Sequence, residues 1–289
     1  MDADLLPPAD TSSRAAAPQR TSGRLEVSFR RRGERTVVER LYQEGAAKGR
    51  LPRDHGRGCP DVALINLAGG LTGGDEMTTV LRWGDGTRAG ATTQAAEKIY
   101  RAQAGTVRID TTLAVGKGAW AEWLPQETIL FERGDLERRL VIDLAAGGRV
   151  LACEPLVLGR LAMGERLTAA RLVDRIEIRL DGDLLWLDVT RLDPPLPPVL
   201  DAPELGGGAR AFATVLYVGE DAAARRDTMR ERVAELPVAA GVTVMGPVLL
   251  VRLHDREPLA MRRALVQLLV AMRAGLGDLP ARLPRLWHT

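Results

Sequence analysis

Apolar positions along this chain recur with two different periods. From Arg24 to about Val218 they fall in short alternating or β-branched runs separated by glycine-bearing turns, the pattern of strands that bury one face. Leu25-Glu26-Val27-Ser28-Phe29, Val62-Ala63-Leu64-Ile65-Asn66-Leu67, Val107-Arg108-Ile109-Asp110-Thr111 and Leu140-Val141-Ile142-Asp143-Leu144 are such runs. Further on, Ile176, Ile178 and Leu180 alternate with Glu177 and Arg179 up to Asp181-Gly182. Both central residues of a type I′ turn need positive φ, which Asp-Gly tolerates, so this stretch predicts a hairpin. So many strands at this spacing predict stacked sheets or a barrel-like shell.

The period changes near the C-terminus. Prolines and then glycines in DPPLPPVLDAPELGGG, residues 193–208, predict a surface loop or linker. Ala211 to Val218 reads as a strand, and a helix capped by Asp221 is expected to run to about Leu236. Gly241 to Leu253 reads as extended. In EPLAMRRALVQLLVAMRAGLG, Met261, Leu265, Leu268, Leu269, Met272 and Leu276 fall on one face at steps of three and four, which predicts an amphipathic helix with its stripe in the core. Trp287 in the tail is placed either to anchor the C-terminus or to dock a partner.

Composition narrows the function classes. Among 289 residues, 40 Lys and Arg face 38 Asp and Glu, a net charge of +2 that gives no footprint for nucleic acid or an anionic membrane. No apolar run approaches the roughly 18–20 residues of a membrane span. The two cysteines, Cys59 and Cys153, are too few for a disulfide framework, which fits a cytoplasmic protein. Residues 1–23 carry Asp2 and Asp4, lack an apolar stretch and are rich in Pro, Ala and Ser, so a flexible tail is expected there, followed by one domain over 24–289.

The chain's glycine cluster, LAGGLTGGDEMTT at 67–79, invites a phosphate-binding reading. A Walker loop ends in Gly-Lys-Ser/Thr, whereas here an acid, Asp75, follows the last glycine. A dinucleotide fingerprint opens a helix, whereas Met77 to Leu81 reads as a strand. Tight strand connections are the simpler use of these glycines. Three scattered histidines, without a G-x-S-x-G elbow, do not organise a hydrolase triad. His55 and Cys59 lie four apart, a two-ligand corner where a closed zinc site needs four.

Carboxylates are the remaining chemistry. Asp75 follows the glycines, Glu154 interrupts Val150-Leu151-Ala152-Cys153, and Asp188 follows Leu184-Leu185-Trp186-Leu187. A buried acid is costly unless it is paired or holds a cation. Each alone reads as a structural acceptor, but three lining one polar passage would suit a divalent metal in transit, since oxygen ligands hold it weakly enough to release.

AGGLTGGD (68–75), TTQAAEKIYR (92–101), AEWLPQETILF (121–131), Leu158-Gly159-Arg160 and LPRLWHT resemble, in order, the UreD (also called UreH) family of urease accessory proteins. The resemblance implies a mainly β, β-rich α+β fold of two stacked sheet layers with a few, mostly C-terminal helices. It implies a maturation factor that is not an enzyme and has no cofactor of its own. Such a factor acts on apo-urease with UreF-like and GTPase UreG-like partners, bringing nickel to the urease active site. Asp75, Glu154 and Asp188 match positions of a transient nickel route. Lys98 matches a position in that route or in the fold, and Cys59 one where the family carries a thiol. A scaffold that carries no metal and a β-shell hydrolase are the alternatives. On the route reading, removing the Asp75 carboxylate is expected to leave the fold intact.

Overall fold

The computed structural model describes residues 20–53, 56–160, 163–204 and 206–288. Among the described residues there are seventeen strands: β1 (Ser22–Arg32), β2 (Arg35–Gly45), β3 (Ala47–Arg50), β4 (Asp61–Asn66), β5 (Glu76–Trp83), β6 (Arg88–Thr93), β7 (Glu97–Ile99), β8 (Val107–Val115) and β9 (Trp120–Trp123) in the first half. They continue with β10 (Thr128–Leu130), β11 (Asp135–Leu144), β12 (Arg149–Leu158), β13 (Arg171–Leu180), β14 (Asp183–Leu192), β15 (Ala211–Val218), β16 (Ala239–Met245) and β17 (Val248–Asp255). The α-helices are α1 (Pro197–Asp201), α2 (Arg226–Ala234) and α3 (Pro258–Gly277).

Two sheets form. One has the order β14-β13-β11-β8-β5-β1-β2, the other β16-β17-β15-β12-β9-β6-β4-β3, with β10 and β7 attached through β12. The mainly β, two-layer expectation is met. Both sheets are parallel in their centres: β5, β8, β11 and β13 pair in parallel in the first, and β4, β6, β9 and β12 in the second. Parallel neighbours need a crossover, commonly a helix. Here the crossover from β5 to β8 passes through β6, and that from β8 to β11 through β9, so the chain winds between the sheets and advances one strand per turn.

Winding fixes what each strand must bury. The inner faces meet in a core containing Leu25, Val27, Phe29, Leu81, Trp83, Leu140, Ile142, Val150 and Ala152. The outer face of the second sheet is covered by α3, whose Met261, Leu265, Leu268, Leu269, Met272 and Leu276 pack with Trp120, Leu151 and Cys153. Sheet β12 is therefore covered on both sides, and its residues from Val150 to Leu158 are all buried. Alternation then sends Cys153 towards α3 and its neighbour Glu154 towards the opposite sheet.

The Asp181-Gly182 turn has φ of 51° and 87°, the hairpin geometry its sequence predicts. Trp287 is buried and donates its Nε1–H to the Leu124 carbonyl at 3.1 Å, so it anchors the C-terminus. Three local expectations need revision. Strand β1 starts at Ser22, because Thr21 and Ser22 already bond to the Asp75 loop and Ala46; residues 1–19 lie outside the described residues. The loop at 193–208 contains α1, with Pro at its first positions. Asp221 does not cap α2: its carboxylate takes the Tyr217 hydroxyl at 2.5 Å and Arg225 at 2.8 Å, and a 3-10 turn intervenes.

Because Leu269 is fully buried between α3 and the sheet, Leu269→Ala should lower stability by about 2–5 kcal/mol in urea unfolding with little change in the circular dichroism of the native state.

Candidate functional site

The glycine loop is a packing device. Gly69 and Gly74 adopt φ of 72° and 89°, and Gly70 one of 154°, where a Cβ would lie 2.3 Å from the Tyr100 ring. At Gly73 a Cβ would lie 2.4 Å from the carbonyl oxygens of Ala104 and Gly105. The loop thus needs both positive φ and close backbone approach to residues 98–106. Asp75 closes it. Its buried carboxylate accepts the Thr21 and Thr72 amides, each at 2.8 Å, tying the start of β1 to the loop.

Between the sheets lies a cavity of 240 Å³ lined by Glu97, Lys98, Gln94, Arg138 and Glu154 among others. Parallel pairing explains their convergence: Glu97 sits opposite Thr128, and Thr128 opposite Leu156, two residues beyond Glu154 on the same face of β12. Glu154 binds Arg138 at 2.7 Å and takes the Trp123 indole N–H at 2.7 Å. Burial pushes its carboxyl up, and the Arg138 charge opposes that only in part. Arg138 reaches Asp174 through Nε at 2.9 Å and Nη2 at 2.5 Å, and the Thr128 hydroxyl at 3.0 Å.

Glu97 differs. Its two oxygens share the Asn66 amide, at 3.0 and 3.1 Å, and no ion pair to it forms among the described residues. Burial pushes its carboxyl up to about 7, opposed by the Asn66 hydrogen bond and the Lys98 backbone and charge.

Of the three acids expected to share a passage, only Glu154 lines this cavity. Asp75 is committed to the loop. Asp188, on edge strand β14, binds Arg252 of β17 at 2.6 Å and clasps the rims of the two sheets. Lys98 does join Glu154. His55 lies outside the described residues.

Cys59 belongs to a second cluster on the α3 side. Its Sγ and carboxylate oxygens of Asp61 and Glu122 lie within 4.8 Å of one another. Two guanidiniums already compensate those acids: Arg57 binds Asp61 at 2.6 Å and Glu122 at 2.5 Å, and Arg273 binds Glu122 at 2.8 Å. Burial, with the Glu122 and Asp61 charges, pushes the Cys59 thiol up to about 12, so it is a neutral hydrogen-bond partner of Arg273 and a poor ligand. The donor set fits an ionic lock better than a metal.

Sequence reasoning missed Glu97, Arg138, Asp174, Glu122 and Arg273. A charged residue inside an apolar run was the available signal, in AEW for Glu122 and in LLVAMRAGLG for Arg273.

These features define a class: a two-sheet body whose interior carries paired charges, Glu122 with Arg57 and Arg273 and Glu154 with Arg138. The profile described as UreD urease accessory protein matches residues 21–288, and the chain belongs to the UreD family. A urease accessory protein UreD of Brucella suis is 42% identical over 271 residues, covering 93% of this chain and 95% of that protein. UreD proteins of Rhizobium leguminosarum bv. trifolii and bv. viciae are 41% and 40% identical, covering 94% and 96% of this chain and 96% and 99% of theirs.

Two predictions follow from these clusters. Arg273→Met strips Glu122 of one of two cations in a site without water access, so stability should fall by about 3–5 kcal/mol in urea unfolding. Glu97 has a folded pKa of about 7, above its unfolded value of about 4.3, so its ionisation makes stability fall as pH rises from about 4 to about 7. Glu97→Gln removes that loss: the variant should be more stable than wild type at pH 8 by about 1–3 kcal/mol, with the gap closing as pH approaches about 4.

Proposed function

We propose that this chain is a urease maturation factor that is not itself an enzyme. It binds apo-urease together with UreF-like and GTPase UreG-like accessory proteins and helps to load nickel into the urease active site. The reading rests first on the family match across residues 21–288. For the metal, its support is the inter-sheet cavity, where Glu97 has only an amide partner and Glu154 lies nearby. Carboxylate oxygens bind a divalent ion weakly and release it readily, as handover requires. In this reading the cavity at Glu97, Glu154 and Lys98 handles the cation, while Asp75 and Asp188 shape the body around it. No resident cofactor is needed.

A scaffold without metal traffic is the second reading, favoured by the saturation of Asp75, Asp188 and Glu154 with protein donors. A hydrolase would require a nucleophile and base set in a cleft, whereas the hydroxyl–carboxylate pairs Ser28–Glu39 and Thr168–Glu132 lie on exposed surface.

The double variant Glu97→Gln/Glu154→Gln separates the first two. Nickel titration of the purified chain should show roughly tenfold weaker binding, about 1.4 kcal/mol, and co-expressed urease should contain less nickel and hydrolyse less urea. Unchanged nickel affinity with unchanged activation would leave the scaffold alone. Asp75→Ala should lower stability by about 1–3 kcal/mol in urea unfolding, because two part-buried amides lose their acceptor.

A further inference from the structure

A second cavity, of 910 Å³, opens between residues 50–53 and the C-terminal segment 281–288, over strands β4 and β6. Among the described residues five arginines line it, at 50, 53, 57, 282 and 285, against a single acid, Asp61. That acid is spent on Arg57, 2.6 Å away. Arg50, Arg53 and Arg285 are exposed, and among the described residues none of the three is ion-paired. Several surface arginines elsewhere are matched: Arg24 with Glu26, Arg171 with Asp135, and Arg139, Arg175 and Arg179 all with Glu177. The groove therefore presents three exposed guanidiniums that have no carboxylate partner among the described residues.

The groove is not purely charged. Its floor includes Ile65, Val270 and Leu286, and Leu51 stands on its rim 49% exposed. Aliphatic floor with arginine rims suits a peptide that carries both acids and leucine-like side chains. Guanidinium forks grip carboxylates in pairs, and the apolar side chains fill the floor. A phosphodiester chain would satisfy the arginines and leave the floor wet.

We infer that this groove docks an acidic segment with interspersed aliphatic side chains, supplied by a protein partner. The docking is separate from the metal reading, since no residue of the inter-sheet cavity except Gln94 and Ile65 borders it.

The test uses the full chain with Leu51→p-benzoylphenylalanine, co-expressed with the urease subunits and the other urease accessory proteins of the same source, without added nickel. Irradiation should cross-link position 51 to one of those proteins, within a peptide whose acids outnumber its bases. Adding Arg50→Glu, Arg53→Glu and Arg285→Glu should cut the cross-linked fraction roughly tenfold while leaving circular dichroism unchanged. The inference is overturned by no cross-link, by a cross-link to a basic or neutral peptide, to nucleic acid, to a second copy or to this chain's own N-terminus, or by a yield that the three charge reversals do not change. Because nickel is absent, failure here leaves the cavity reading untouched, and loss of nickel binding in the Glu97/Glu154 variant leaves this one untouched.

Discussion

Everything in this body is positioned by one carboxylate held between two arginines. Glu122 is fully buried on β9, with Arg57 on one oxygen and Arg273 and the Trp120 indole on the other. The arginines extend the hold: Arg273 donates to the Pro280 and Arg57 carbonyls, and Arg57 donates to the Arg282 carbonyl. Loop 56–61, the sheet, α3 and the C-terminal segment therefore meet at one point. A buried ion pair gives little net stability by itself, because desolvation offsets much of the attraction. Its effect lies in specificity: a shift of α3 along the sheet would leave charges buried without partners, which is far costlier than a shift between apolar surfaces.

Fixing α3 has a consequence for the other face of the same sheet. With β12 and β9 covered on both sides, every residue on them except Arg149 is buried and strand alternation alone decides its company. Cys153 and Glu122 fall to the helix side, Glu154 and Trp123 to the inter-sheet side. Polar residues on the inner face then demand partners, and Arg138 of the facing sheet supplies one for Glu154 while Asp174 and Thr128 hold Arg138 in place. The inter-sheet cavity lies where this polar patch interrupts an otherwise aliphatic layer.

The strands, the hairpin at Asp181-Gly182 and the stripe of α3 were legible in the sequence because each is a local pattern: alternation, a turn pair, a period near 3.6. The winding between sheets was not, since adjacent strands such as β5 and β8 pair across an intervening strand of the other sheet. The site was half legible for the same reason. Glu154 and Lys98 stand out as charges in strand-like runs, and parallel pairing brings them to one cavity. Asp75 and Asp188 stand out equally, yet their roles depend on donors remote in sequence, the Thr21 amide and Arg252. Glu97 shows the reverse failure: flanked by Lys98 it reads as a solvated charge, and only the packing of β7 against β10 buries it. Asp221 looked like a helix cap because its competitor, Tyr217, lies on the preceding strand.

What separates a structural acid from one free to bind something else is the number and charge of donors already on it. Asp75 holds two backbone amides, Asp188 a guanidinium, Glu154 a guanidinium and an indole, Glu122 two guanidiniums and an indole. Replacing such donors with a divalent ion would strand an arginine or an amide at Asp75 and Glu122, so the affinity of those two for a cation is spent in advance, and Glu154 serves only as a neighbour of Glu97. Glu97 holds only neutral amides, those of the Asn66 side chain and the Lys98 backbone. Near neutral pH it exchanges a proton with a pKa of about 7, so a cation entering the cavity competes with a proton and displaces no structural charge. Under the proposed nickel reading, a cation held there would bind weakly and leave without disturbing the ion pairs that hold the fold.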